Sequence, residues 1–109
     1  MLKWHSVIYA DDKTKKKIKQ IKWRLNHGAG AFQVYLVALS TESRMQLDIF
    51  HAGLLKQPAF RRRVPLIVGV ASDYISAKEM VVRIVQDVYD RTGQANIREY
   101  FETSYAEVP

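Results

Sequence analysis

The sequence predicts an α+β (or α/β) fold: a single two-layer domain in which a mixed β-sheet of four to five strands carries two main helices. Three observations predict it. Segments rich in branched and aromatic residues recur at strand length, two stretches space their apolar residues with helical period, and a glycine stands just past the end of each of those stretches. At 109 residues, with 48% hydrophobic and 26% charged side chains, the chain suits one core, so residues 1–109 form one domain.

Residues 2–9 are aromatic and β-branched and begin the fold as a strand. Asp11 or Asp12 then caps a helix over about 13–26, because a carboxylate accepts hydrogen bonds from the free amides of a first helical turn. Gly28 ends that helix by taking the left-handed conformation. Its apolar stripe, Ile18, Ile21 and Leu25, is narrow, which places this helix at the periphery. Residues 31–40 are apolar on both faces and read as an inner strand. A polar turn at 41–44 leads to Met45, Leu47 and Ile49 alternating with Gln46 and Asp48, the pattern of a half-exposed strand paired in a hairpin.

A long link, 51–64, precedes a second inner strand at 65–71. Ser76 and Glu79 match a capping box, and the helix they open runs to about Arg91. Ala77, Val81, Ile84 and Val88 form its core face, flanked by Met80 and Val85, with outward pairs Glu79–Arg83 and Asp87–Arg91. Gly93 closes it, residues 95–101 read as a last strand, and 103–109 as a flexible tail. If the strands around the second helix are parallel neighbours, their crossover is right-handed.

Charge is unevenly placed. Residues 1–30 hold eight basic and two acidic side chains, which accounts for the whole net charge of +6, while residues 31–109 hold nine of each. Such asymmetry points to an anionic partner, nucleic acid or an acidic protein surface. The absence of cysteine excludes disulfides, thiolate metal sites and cysteine nucleophiles. The first residues are too polar for a secretory leader, and the longest apolar runs fall well short of the ~20 residues that cross a bilayer, so a cytoplasmic location and no membrane partner are expected.

Two segments are candidate sites for the anion. On a continuous helix Lys16, Lys19 and Trp23, with Lys15 beside them, lie opposite the apolar stripe, presenting an indole among ammonium groups as a stacking platform for a base. Their plainer role is a solvated face. Arg61, Arg62 and Arg63 offer planar forks for phosphate or carboxylate, within a link whose Leu54, Leu55 and Phe60 also fit a short helical turn packed by its own side chains. Residues 69–73 lead from a strand to a helix, a place where amides bind anions, but lack the glycines of a nucleotide-binding loop. His5, His27 and His51 stand in no metal-ligand spacing, and His27 suits a helix C-terminus. No catalytic residue, metal site or cofactor is expected. The leading expectation is a small binding module, followed by a self-associating structural or adaptor domain, dimeric through a sheet edge or the apolar residues Leu54, Leu55, Phe60, Tyr100 and Phe101; an enzyme ranks last.

Leu47-Asp48-Ile49, Leu54-Leu55-Lys56-Gln57, Val68-Gly69-Val70-Ala71, the helix opening at Ser76 and Ile97-Arg98-Glu99-Tyr100-Phe101 together resemble a family of short bacterial proteins without an assigned function. The resemblance covers most of the chain and implies a freestanding domain, with no catalytic residues to carry over.

Overall fold

The computed structural model describes residues 2–28, 33–40, 46–94 and 96–102; the expected turn at 41–44, the start of the inner strand at 31 and 32, and the tail at 103–109 lie outside them. One mixed sheet holds β1 (Trp4–Ala10), β2 (Tyr35–Leu39), β3 (Leu47–His51) and β4 (Ile67–Ala71), in spatial order β1-β4-β2-β3. β4 runs parallel to β1 and antiparallel to β2, and β2 forms the expected antiparallel pair with β3, Tyr35 opposite His51 and Leu39 opposite Leu47. The two strands with apolar residues on both faces take the two inner positions, and every residue of β4 is buried.

The outer pairing is irregular: Trp4 faces Ile67 but Tyr9 faces Gly69, so β1 bulges between them. His5 lies in this irregular stretch and is buried. Its Nδ1 lies 2.9 Å from the Val7 carbonyl oxygen and 3.2 Å from the Val7 amide, and the ring stands edge-on to Phe101 at 5.1 Å.

Helices α1 (Asp12–Lys15), α2 (Ile18–His27), α3 (Pro58–Arg63), α4 (Tyr74–Thr92) and α5 (Ile97–Glu102), with a 3-10 helix at Ala52–Lys56, cover the sheet. On one face α4 and α5 bury Ile84, Val88, Ile97 and Phe101 against Val37 and Val68. On the other, α2 and the 51–64 link bury Ile21, Leu25 and Leu55 against Leu36, Ile67 and Val70. A mixed four-stranded sheet with its two main helices packed on it is the α+β domain expected. Because β2 and β4 are apolar on both sides, the helices divide between the two faces, and the layers number three.

Several local expectations give way to competing bonds. The lysine segment is two helices, with Lys16 and Lys17 between them. Asp11 caps α1 by accepting the Thr14 amide at 3.0 Å and the Ser72 amide at 2.7 Å, while the Thr14 hydroxyl reaches the Val70 carbonyl at 3.1 Å. Those bonds pin α1 to the end of β4, so the chain must turn before α2 can lay its apolar stripe on the sheet. Nor is α2 peripheral, since Ile21 and Leu25 are fully buried. In α4 the cap is Asp73, which accepts the Ser76 amide at 2.7 Å and starts the helix at Tyr74, ahead of the Ser76–Glu79 box. A charged acceptor at the positive end of the helix outcompetes a hydroxyl further in. Within α4, Met80 is core and Val85 is exposed. Asp87 accepts the Tyr9 hydroxyl at 2.7 Å and Arg83 lies over the Tyr9 ring at 5.8 Å, so both turn towards β1.

The segment read as a last strand is α5. Asn96 Oδ1 caps this helix by accepting the Glu99 amide at 3.0 Å, and Asn96 Nδ2 donates to Glu99 Oε2 at 3.1 Å. Ile97, Tyr100 and Phe101, three and four apart, share the buried side. The parallel neighbours are therefore β1 and β4, and the strand-helix-strand unit expected around the second helix does not form.

Candidate anion-binding cleft

Strand directions decide which cations meet. β1 and β4 are parallel, so Lys3, ahead of β1, and Arg62 and Arg63, ahead of β4, arrive at the same end of the sheet. β2 runs the other way and delivers Ser40 there, and α5 brings Arg98. Lys3, Ser40, Arg62, Arg63 and Arg98 line one open cavity of about 490 Å³. Arg98 donates to the Ser40 carbonyl and pairs with Glu102 at 3.1 Å. Among the described residues, Lys3, Arg62 and Arg63 form no ion pair; the carboxylate in the cavity walls is Asp48, which lines the adjoining cavity together with Arg63.

A second, more enclosed cavity of about 180 Å³ adjoins the first and shares Arg63, Val64 and Pro65 with it. Its remaining wall is Ala38, Leu39, Phe50 and Phe60, with one carboxylate, Asp48. The two phenylalanine rings meet edge to face at 5.1 Å.

Arg61, the first arginine of the run, has a different task. Its guanidinium donates to the Leu25 carbonyl and, at 2.9 Å, to the Asn26 carbonyl, satisfying acceptors that the last turn of α2 leaves open. The Trp4 indole donates to Asn26 Oδ1 at 2.8 Å, with the Lys22 ammonium 5.7 Å above its ring. These contacts hold the end of α2 beside Lys3 and the arginine run.

Trp23 is 57% exposed on α2, and His27, one turn on, stacks against it with centroids 4.3 Å apart and planes 23° from parallel. Lys19 lies one turn before Trp23, also exposed. Lys15 and Lys16 are exposed as well, but belong to α1 and its end, next to Ser72 at the opposite end of the sheet. The break between α1 and α2 therefore removes Lys16 from the helix face that carries Lys19 and Trp23.

The 69–73 segment, the end of β4 and the two residues after it, is occupied by the protein's own side chains. Its Ser72 amide serves Asp11, whose carboxyl burial pushes up but the Ser72 and Thr14 hydrogen bonds pull below the usual aspartate range. Gly69 lies mid-strand, where a side-chain carbon would come 2.6 Å from Met80 Sδ. His51 accepts the Gly53 amide at 2.9 Å and caps the 3-10 helix. Among the described residues no three His, Asp or Glu side chains gather as metal ligands, and no helix is long and apolar enough to cross a membrane. Of the apolar residues expected to drive self-association, Leu55, Tyr100 and Phe101 are buried; the exposed apolar residues include Ile75, Val82 and Tyr89 on α4.

Sequence reasoning singled out Arg62 and Arg63 but not Lys3 or Arg98. Each of those is a lone cation among unlike neighbours, and only the strand order joins them to the arginine run. No protein-family model matches the chain, and comparison with curated proteins and with solved structures finds no match.

Proposed function

We propose that this domain is a binding module for single-stranded nucleic acid. The observation that carries the reading is the meeting of Lys3, Arg62, Arg63 and Arg98 around one cleft, three of them in no ion pair among the described residues. Phosphates answer that charge, and arginine forks suit them. The stacked Trp23–His27 pair favours a nucleic acid over an acidic protein surface, because an exposed aromatic face receives an unstacked base. Trp4 and Lys3 connect the end of α2 to the cleft, so one strand can follow a cationic path from Lys19 to Arg63.

Titration with a single-stranded oligonucleotide tests this. Binding should quench tryptophan fluorescence, and Trp23→Ala should weaken it by about 1–3 kcal/mol, the usual worth of one stacked base. Undiminished affinity in that variant would contradict the stacking role.

A second reading, self-association, is favoured by one observation: Ile75, Val82 and Tyr89 recur every seven residues along α4 and are exposed. It predicts a dimer by light scattering that Val82→Lys returns to monomer. A monomeric mass for the unaltered chain at high concentration would remove it.

A further inference from the structure

Resting on that reading, we propose that the cleft and its adjoining apolar slot form one pocket for a nucleoside monophosphate, either free or as the terminal nucleotide of a strand. The two cavities adjoin: Arg63, Val64 and Pro65 line both, with cations around one and apolar side chains around the other. A ligand filling both must carry concentrated negative charge at one end and a flat, largely apolar body at the other.

The charge at the cationic end selects the form of phosphate. A phosphate monoester carries about −1.5 to −2 at neutral pH, whereas each internal diester of a strand carries a single charge. Lys3, Arg62 and Arg63 form no ion pair among the described residues and Arg98 pairs with Glu102, so even with Asp48 counted against them the walls keep a surplus of two positive charges. That surplus matches a monoester better than a diester, and Arg62 and Arg63 supply planar donors for its oxygens.

The slot selects the rest. Phe50 and Phe60 are both half-buried, so their exposed parts offer aromatic surface to a base. Asp48 lines the slot and has no ion-pair partner among the described residues. Ionised, it only accepts hydrogen bonds, which fits the exocyclic amine of a base or a sugar hydroxyl and disfavours a second phosphate.

Calorimetric titration of the full chain with adenosine 5′-monophosphate, inorganic phosphate and adenosine tests the pocket. The monophosphate should bind at least about tenfold tighter than inorganic phosphate, and adenosine more weakly than either. Arg63→Ala should weaken the monophosphate about tenfold to a hundredfold, the range for loss of a charge-assisted hydrogen bond. The side chain of Arg63 is exposed, so its melting temperature should be unchanged. The double variant Lys19→Ala/Trp23→Ala should bind the monophosphate normally while losing affinity for an oligonucleotide. A 5′-phosphorylated oligonucleotide that binds tighter than its 5′-hydroxyl counterpart identifies a strand end as the source; equal affinity, with the monophosphate still bound, identifies the free nucleotide. A monophosphate that binds no tighter than inorganic phosphate, or that ignores Arg63→Ala, overturns the pocket. If the oligonucleotide still binds in that case, only this inference falls; if neither binds, the nucleic-acid reading falls with it.

Discussion

Asp11 links two chain segments through one carboxylate. It takes the Thr14 amide and hydroxyl on one oxygen and the Ser72 amide and hydroxyl on the other, tying the start of α1 to the end of β4. Asp11→Ala should cost about 1–3 kcal/mol, because the amides it serves lose a charged acceptor. Its pH dependence has a definite sign. The carboxyl is held below its ordinary value in the folded protein, so its contribution is complete above the unfolded pKa, near 4, and is lost as pH falls through the lower folded value. Urea midpoints measured from pH 5 to pH 2 should therefore fall less steeply in Asp11→Asn than in the unaltered protein. Tyr9 behaves in the opposite sense: burial and the hydrogen bond to Asp87 raise its pKa well above the usual tyrosine range, so its contribution holds below about pH 10 and is lost at higher pH. Asp11 was legible in the sequence as a cap, since an aspartate before a helical run has few other uses. Its grip on Ser72 was not, because that partner lies 61 residues away.

At the scale of elements, glycines and long apolar runs were the most legible features. Gly28 and Gly93 have φ of 67° and 73° and end α2 and α4 where the sequence places them. β2, β3 and β4 follow from alternation and from apolar runs on both faces. The shorter segments were ambiguous. Residues 97–101 satisfy both a strand reading, from their aromatic and branched content, and a helix reading, from Ile97, Tyr100 and Phe101, and the Asn96 cap decides for the helix. The narrow stripe of α2 suggests a peripheral helix because three apolar residues are few for a core, yet those three suffice on a sheet whose facing side is apolar. Ile84→Ala on α4 and Ile21→Ala on α2, both fully buried, should each cost about 2–5 kcal/mol, whereas Lys16→Ala should stay within about 0.5 kcal/mol. Denaturant melts of the three variants check this, and a small effect for Ile21→Ala would return α2 to the periphery.

For the whole molecule, the proposed function turns on how the topology sorts the charge. The sequence shows a lysine-rich first third, and the fold divides it: Lys15 and Lys16 go to one end of the sheet, while Lys3 meets Arg62, Arg63 and Arg98 at the other. Half of the cleft was legible as an arginine run. The other half was not, since the parallel pairing of β1 with β4 spans the whole interval between them and leaves no local trace. The affinity of a single-stranded oligonucleotide as a function of salt tests the cleft most directly. The logarithm of the binding constant should fall linearly with the logarithm of salt concentration. Arg62→Ala/Arg63→Ala should reduce the slope by about 0.7 where both arginines hold one phosphate and by about 1.4 where each holds its own, and Lys15→Ala/Lys16→Ala should leave it nearly unchanged. Absence of binding at low salt, or a slope that responds to the lysine pair and not to the arginine pair, would contradict the assignment of the cleft.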